Sequence, residues 1–360
     1  MPSIEATRSQ NAVGQAARQG GFTPEGGPRF GRRTATYAAL DLGTNNCRLL
    51  VARPIRDDEK GSGEHFRIVD AFSRIVRLGE GLSQTGRLSE PAIQRTIDAL
   101  LVCREKMAVR GVTRARMIAT EACRAAANGA DFIERVRERT GLELEIISRE
   151  TEARLAAAGC ASLADSGAKS VVLFDIGGGS SEIVWLASGQ GVSGAERVRH
   201  WTSLQLGVVT LAERFGGAEV SFAQFSAMTD LVEAELQHFL ARASNEERCQ
   251  RFHLLGTSGT VTTLAGVHLN LPRYDRRRVD GLWMSRDEID AVMKRLRNMS
   301  YSERIQNSCI GPDRADLVLA GCAILEGIRR CFPSDRIRIA DRGLREGMLL
   351  ELMRADRPAE

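Results

Sequence analysis

Two short segments of the sequence combine an apolar strand, an aspartate and a glycine-rich turn, the residue types that hold phosphate. The first reads YAALDLGTNN over residues 37–46, and the second reads VVLFDIGGGSSE over residues 171–182. Glycines permit turns that bring backbone N–H groups close to an anion. Asp41 and Asp175, each at a strand end, can hold a divalent cation. The pair predicts two facing loops that clamp phosphate oxygens, with Mg²⁺ or Mn²⁺ held by the two aspartates.

Apolar runs between turn signals predict that strands and helices alternate in two similar sets. This order indicates an α/β protein of two domains with a cleft between them. We expect a first domain over residues 34–160, a second over 161–342, and a closing helix over 343–354 that packs back on the first. The predicted strands cover residues 36–42, 47–53, 66–77, 117–120, 144–147, 170–175, 181–187, 197–206, 252–255 and 336–340, and the predicted helices cover 89–110, 128–140, 149–161, 208–215, 222–242, 286–297, 313–331 and 343–354.

Composition and charge narrow the class of protein. The chain has 360 residues, of which 43% are hydrophobic and 27% charged, as in a globular protein long enough for two domains. Residues 1–33, rich in glycine and arginine, predict a disordered tail and hold much of the net charge of +4. We therefore expect no binding to duplex nucleic acid. The lack of C-x-x-C pairs, of a secretory signal and of long apolar stretches favours a cytoplasmic protein with free thiols and no membrane contact.

Further residues fit phosphate chemistry. Glu121 directly follows a predicted strand, so we expect its carboxylate at a sheet end, facing the cleft as general base for a water. Arg48 and Arg124 have planar guanidinium groups that suit two phosphate oxygens at once. The turn at residues 256–260 opens a helix whose first N–H groups can face an anion. A basic loop follows, and a long anionic chain leaving the cleft is expected to contact Arg273, Arg276, Arg277 and Arg278.

The predicted phosphate ligands therefore come from three glycine-containing turns and two arginines. They are Gly43, Thr44, Asn45, Asn46, Arg48, Arg124, Gly177, Gly178, Gly179, Ser180, Ser181, Gly256, Thr257, Ser258, Gly259 and Thr260.

Six sequence blocks in one order make the chain similar to the exopolyphosphatase / guanosine pentaphosphate phosphatase (Ppx/GppA) family. The resemblance covers roughly residues 36–350, and it implies two ribonuclease-H-like domains of the actin, sugar-kinase and heat-shock-ATPase type, in a short two-domain form. It also implies that Glu121 is catalytic and that Glu150 is a second acid near metal and water. The six blocks begin at Asp41, Ala119, Glu145, Asp175, Gly256 and Asp341.

The chain departs from the family pattern at two positions. Asn46 stands where members often carry Ser or Thr, and Ser258 stands where Gly is common. We expect altered phosphate geometry from the first and a tighter third loop from the second. Three other acids, Glu152, Asp341 and Glu346, are interpreted as structural.

The leading hypothesis is a Mg²⁺-dependent phosphohydrolase that removes terminal phosphate from inorganic polyphosphate. A homodimer is a separate expectation for this short form. A 5′-phosphatase of guanosine pentaphosphate uses the same kind of cleft, and no residue in the sequence decides between the two substrates. A kinase of the same fold group fits less well, because no sugar-binding motif is visible. A non-catalytic sensor of polyphosphate or an alarmone is the alternative from another class.

Overall fold

The structure of the chain is a computed structural model that describes residues 35–55, 66–187, 197–242 and 252–356. The tail predicted at residues 1–33 lies outside the described residues. Within the described ranges, no helix is long and apolar enough to cross a membrane.

The first sheet has five strands in the order β3-β2-β1-β4-β5. β1, β2 and β3 form an antiparallel meander, and β4 and β5 continue the sheet in parallel with β1. β1 is almost wholly apolar and buried because helices or loops cover both faces of the strand. The strands are β1 (Tyr37–Leu42), β2 (Asn46–Pro54), β3 (Phe66–Ile75), β4 (Arg114–Ala119) and β5 (Glu145–Ile146).

The second sheet repeats this topology and adds one edge strand. Its order is β10-β11-β9-β6-β7-β8, in which β6, β7 and β8 form the antiparallel meander and β9 and β11 the parallel continuation. The strands are β6 (Ser170–Ile176), β7 (Ser181–Ala187), β8 (Val198–Leu204), β9 (Phe252–Thr257), β10 (Trp283–Ser285) and β11 (Arg336–Ile339). The predicted fold class, two α/β domains of ribonuclease-H-like topology, is confirmed.

The helices lie around the sheets and bury apolar faces against them. The described helices are α1 (Leu82–Thr85), α2 (Glu90–Val109), α3 (Glu121–Ala125), α4 (Gly129–Thr140), α5 (Arg149–Cys160), α6 (Val208–Phe215), α7 (Phe222–Arg242), α8 (Ser258–His268), α9 (Arg276–Val279), α10 (Arg286–Asn298), α11 (Tyr301–Gln306), α12 (Val318–Cys331) and α13 (Leu344–Ala355). α12 begins at Val318 and not at residue 313, because the segment after Gly311 (φ 71°) forms successive turns before the helix starts.

Two helices join the domains. α13 packs on the first sheet, where Met348 and Leu349 lie in one apolar cluster with Ala39 of β1. α5 packs on the second sheet through a cluster that includes Ala157 and Leu173. The two helices also cross each other, so the boundary predicted at residue 160 coincides with the end of a helix that contacts both halves.

Glycines allow the backbones of α5 and α13 to touch at this crossing. A Cβ added at Gly347 would overlap the carbonyl group of Leu155, and a Cβ added at Gly159 would overlap that of Gly343. Neither neighbour is a flexible side chain that could move aside. The crossing therefore fixes how closely the two sheets approach each other.

We expect Gly347→Ala to lower the free energy of unfolding by on the order of 2 kcal/mol, because the added methyl group forces the crossing apart. Urea denaturation measures the change. The control is Gly167→Ala, where the nearest atom to an added Cβ is a side-chain oxygen at 3.4 Å. Equal stability of the two variants would contradict the close crossing.

Candidate active site

A cavity of about 510 Å³ lies between the two sheets. It opens at the carboxyl ends of β1, β4, β6, β9 and β11, where residues that follow the strands converge. Its lining includes acidic, basic and glycine residues from both domains. This is the position at which α/β sheets commonly bind ligands.

The two aspartate-headed loops have the same local geometry and face each other across this cavity. In loop 1 (residues 43–46), the N–H of Gly43 donates to the carbonyl of Asn46 at 2.9 Å. In loop 2 (residues 177–180), the N–H of Gly177 donates to the carbonyl of Ser180 at 2.9 Å. A Cβ added at Gly178 would lie 3.0 Å from the Cβ of Thr44. The two loops are thus neighbours, and glycine lets their backbones approach.

Asp41 and Asp175 lie in the cavity at the ends of β1 and β6. Burial raises the pKa of both carboxyls, and the positive charge of Arg48 partly opposes this for each. Arg345 opposes it further at Asp41, and a hydrogen bond with the Ser258 hydroxyl does so at Asp175. Two buried carboxyls that share one arginine form a site with a deficit of positive charge.

The donor atoms around the aspartates are of the kind that Mg²⁺ prefers. Besides the two carboxyls, the buried side-chain oxygens of Asn45 and Asn46 have no hydrogen-bond partner among the residues that the structure describes. Among the described residues, no cluster of three or more His, Cys, Asp or Glu could enclose a metal ion. An ion at Asp41 and Asp175 would therefore keep several ligands from water or substrate, which is the usual habit of Mg²⁺.

Glu121 begins α3 directly after β4 and is 6% exposed. Arg149 donates to both of its carboxylate oxygens, at 3.1 and 2.9 Å. Arg124 donates twice to Oε2, at 3.2 and 2.9 Å. Glu121 lines the cavity, and a Cβ added at Gly179 would lie 3.1 Å from its Cγ. The carboxylate is thus held in one orientation beside loop 2.

The structure gives Arg124 a different place from the one predicted. Its guanidinium binds Glu121, the carboxylate of Glu152 at 2.7 Å and the carbonyl of Ile147 at 2.7 Å. It is not among the residues that line the cavity. These contacts use four of the five N–H donors of Arg124, so it connects two acids and retains little capacity for phosphate.

Glu150 and Glu152 exchange the places expected of them. Glu150 is exposed and outside the cavity lining, whereas Glu152 lines the cavity. Two residues correspond to about 200° around a helix, so neighbouring acids of α5 point in opposite directions. Burial raises the pKa of Glu152 to about 7, although Arg124 lowers it in part. The acid predicted as structural is the one inside the site.

The third turn is partly as predicted. Thr257, Ser258, Gly259 and Thr260 line the cavity at the start of α8, with Ser258 at φ 75°, a conformation that favours glycine. The positive φ explains physically why glycine is common at the position that Ser258 occupies. Gly256 lies outside the cavity lining, inside β9, where a Cβ would contact the Phe174 ring at 2.5 Å.

In the block that begins at Asp175, Ser181 and Glu182 have unexpected roles. Ser181 lies outside the cavity lining, and its hydroxyl donates to the carbonyl of Leu206 at 2.7 Å. Glu182 lines the cavity and accepts hydrogen bonds from Ser180 at 2.9 Å and Ser203 at 2.8 Å. Burial raises the pKa of Glu182 well above its ordinary value. Glu182 ends the second aspartate-headed segment of the sequence, but the sequence pattern predicted no role for it.

Apart from Arg48, the arginines of the cavity were given no role in the sequence analysis, although Arg342 and Arg345 lie in the block that begins at Asp341. Arg48 lines the cavity as predicted, together with Arg314, Arg342 and Arg345. Arg314 donates to the Thr263 hydroxyl at 3.2 Å, and burial lowers its pKa, with a further contribution from Arg48. Arg314 lies in the turns before α12, where no sequence motif marks it.

The basic loop lies beside the cavity. Arg273, Arg277 and Arg278 are exposed and do not line it. Arg276 binds Glu346 at 2.7 Å and the carbonyl of Asp341 at 2.5 Å. Asp341 and Glu346, which were interpreted as structural, both line the cavity and are the partners of Arg276.

The raised pKa of Glu152 has a consequence for stability. The folded chain holds this proton more tightly than the unfolded chain does, since the ordinary value is 4.5 and the folded value about 7. The stabilising contribution is therefore complete below pH 4.5 and is lost as the pH rises through 7.

We expect the stability of the parent relative to Glu152→Gln to fall between pH 5 and pH 8, by on the order of 2 kcal/mol. Urea denaturation at both pH values measures the difference. Glu150→Gln, the same change on the exposed face of α5, is the control and should show no such slope. Parallel pH profiles for the parent and Glu152→Gln would contradict the burial of this acid.

Duplicated ribonuclease-H-like domains with two facing, aspartate-headed loops define a class of enzymes that act on phosphate groups. Comparison with known proteins agrees with this class. The sequence profile of the Ppx/GppA phosphatase family matches residues 56–356. The chain therefore belongs to this family, and it is a hydrolase of phosphoanhydride bonds.

Individual relatives cover most of the chain. It is 29% identical over 328 residues to exopolyphosphatase 2 of Mycobacterium tuberculosis. The matched region covers 88% of this chain and 98% of that protein. It is also 29% identical to the guanosine-5′-triphosphate,3′-diphosphate pyrophosphatase of Photobacterium profundum, of which it spans 59%. The crystal structure of the Aquifex aeolicus Ppx/GppA family member has a TM-score of 0.71 and 30% identity, and covers 90% of this chain and 99% of that one.

Proposed function

We propose that the protein removes terminal phosphate from inorganic polyphosphate, releasing orthophosphate, in a reaction that depends on Mg²⁺ or Mn²⁺. The observation that supports this most directly is the juxtaposition of loop 1 and loop 2 across a cavity lined by both acids and arginines. A terminal phosphoryl group between the loops is surrounded by backbone N–H donors, as phosphoryl transfer requires.

The arginines hold the rest of the chain of phosphates. Arg48 and Arg314 both line the cavity, and among the residues that the structure describes neither forms an ion pair with a carboxylate within 4.0 Å. Their guanidinium groups are therefore available to phosphate oxygens. The exposed Arg277 and Arg278 lie beyond Arg276 and extend the basic surface for a longer substrate.

Asp41 and Asp175 hold the divalent cation in this proposal, with Asn45 and Asn46 as further oxygen donors. Such an ion neutralises charge on the phosphoryl oxygens. The chain's own part is to place these oxygens at the ends of β1 and β6, where the two loops approach each other.

Glu121 accepts the proton of the attacking water. Arg124 and Arg149 fix the plane of the Glu121 carboxylate. Both carboxylate oxygens accept a hydrogen bond from an arginine, so a water that binds Glu121 uses an oxygen that also contacts an arginine. That arrangement orients the water toward the loops, and orientation is the main requirement of this reaction. Glu152, which also lines the cavity, pairs with Arg124 at 2.7 Å.

We expect Glu121→Gln to lower the rate of phosphate release from long-chain polyphosphate by about 10²–10⁴-fold, as loss of a general base does. Release of orthophosphate is measured with and without Mg²⁺, and after chelation. Glu150→Gln is the matched control and should stay near the parent rate. If Glu121→Gln turns over substrate at the parent rate, Glu121 is not the general base. If activity is full after complete chelation, the reaction does not depend on a divalent cation.

A second candidate substrate is guanosine pentaphosphate, and one end of the cavity favours it. Tyr274 lines the cavity and is 38% exposed. Cys309 and Ile310 line the same region, which the Ser308 hydroxyl ties to the Leu271 carbonyl at 2.6 Å. Polyphosphate has no apolar surface to place there, whereas a nucleobase has an aromatic face for stacking.

For this candidate we expect Tyr274→Leu to lower kcat/KM for guanosine pentaphosphate about tenfold, since base–aromatic stacking contributes about 1–3 kcal/mol. Activity on polyphosphate should change by less than about twofold. Tyr274→Phe keeps the ring and removes the contacts of the hydroxyl, which are the 2.7 Å hydrogen bond to Asp341 and a hydrogen bond with Thr262, so it controls for both. An equal loss on both substrates would argue against a nucleobase at Tyr274.

A further inference from the structure

The segment that follows β3 is bound to loop 1. The N–H groups of Val76 and Arg77 both donate to the carbonyl of Asn45, at 2.9 and 3.1 Å. The N–H of Gly79 donates to the carbonyl of Thr44 at 2.9 Å. The first part of this segment, which spans residues 76–86, is therefore hydrogen-bonded directly to loop 1.

Arg77 extends from this segment to the other domain. Its guanidinium binds Asp316 through two hydrogen bonds, at 2.9 and 3.1 Å, and reaches the carbonyl of Asp313 at 3.3 Å. Asp316 belongs to the turns that also contain Arg314. The buried Arg304 holds the same turns by donating to the carbonyl of Ala315 at 3.1 Å. Arg77 thus binds turns of the second domain that Arg304 also holds in place.

A second contact between the domains lies nearby. Glu213 of α6 accepts a hydrogen bond from the N–H of Gly81 at 2.8 Å and another from the hydroxyl of Ser83. The first turn of α6 is bound to loop 2, because the N–H groups of Val208 and Val209 donate to the carbonyls of Gly177 and Gly178 at 3.0 and 2.8 Å. Segment 76–86 is therefore linked to both phosphate loops.

The backbone of Arg77 is in an uncommon conformation that serves this contact. Its φ is 48°, a left-handed value that few residues other than glycine adopt. The hydrogen bonds to loop 1 and the pairing with Asp316 act on opposite ends of the same residue. Such strain persists where the surrounding contacts over-determine a conformation.

We propose that Arg77 and Glu213 form a two-point clasp that holds the domains closed, with Arg77 as the positioning residue that aligns loop 1 with the Arg314 turns. The effect on substrate rests on the proposed function. Without the clasp, the two domains separate more readily, and a substrate that binds both must use part of its binding energy to bring them together. The clasp therefore acts on KM more than on kcat.

The experiment compares Arg77→Ala, Asp316→Asn and Glu213→Ala with the parent in polyphosphate hydrolysis. We expect KM to rise about five- to tenfold in each of the three variants, with kcat within about twofold, because closure is restored once substrate is bound. Arg135→Ala is the control, since it removes a two-contact pair with Glu90 that lies within the first domain. Its KM should equal that of the parent.

A charge exchange separates a positional effect from general damage. Arg77→Asp combined with Asp316→Arg should restore most of the parent KM, and Asp tolerates a positive φ. Unchanged KM in Arg77→Ala, Asp316→Asn and Glu213→Ala would overturn the clasp. So would a parent KM that is not recovered in the exchanged pair, when circular dichroism shows that this variant is folded.

Hydrogen exchange of the free protein tests the clasp without any substrate. In Arg77→Ala and Asp316→Asn, the amides of Val76, Arg77 and Gly79 should exchange faster than in the parent and in Arg135→Ala. Unchanged exchange at these amides overturns the proposal. If the parent releases no phosphate from any substrate, the proposed function is wrong. The hydrogen-exchange measurement still tests whether Arg77 and Asp316 hold the domains together.

Discussion

The burial of several acidic groups in one cavity is the constraint on which the rest of the structure depends. Desolvation raises the pKa of Asp41, Asp175 and Glu182, which come from both domains. Buried carboxylates are costly unless hydrogen bonds or positive charges compensate them. Arg48 serves both aspartates, and the hydroxyls of Ser180 and Ser203 serve Glu182. These partners come from different strands and loops, so the site exists only when the two domains are held together.

The crossing of α5 and α13 provides the rigid part of that arrangement. Each helix packs on one sheet and on the other helix, and glycines let their backbones touch. On the opposite side of the cavity, the domains meet through polar and half-exposed contacts such as Arg77 with Asp316. Exposed ion pairs contribute little to stability compared with buried apolar packing. The cleft is thus fixed on one side and held by weaker contacts on the other.

Local patterns in the sequence predicted the sheets and the two aspartate loops, because strand period and glycine turns are properties of short segments. The site residues that come from elsewhere were harder to find. Arg314 has no motif around it, and it reaches the cavity only through the packing of the turns before α12. The exchange of Glu150 and Glu152 has a different cause, since the acid that faces inward depends on where α5 starts relative to the second sheet. A family resemblance locates the block, whereas helical phase decides the residue.

The charge of the substrate sets a further condition on this site. A polyphosphate chain or a nucleoside polyphosphate would place several negative charges beside Asp41, Asp175 and Glu152, which already repel one another, as their mutual effects on pKa indicate. Of the four arginines that line the cavity, Arg48, Arg314 and Arg345 carry positive charge into it, whereas Arg342 is paired with Asp280. Arg124 is occupied by Glu121 and Glu152. Like charges in a medium of low dielectric constant repel strongly. Under the proposed function, a divalent cation at Asp41 and Asp175 would reduce this repulsion, so the cation and the substrate would each lower the electrostatic cost of binding the other.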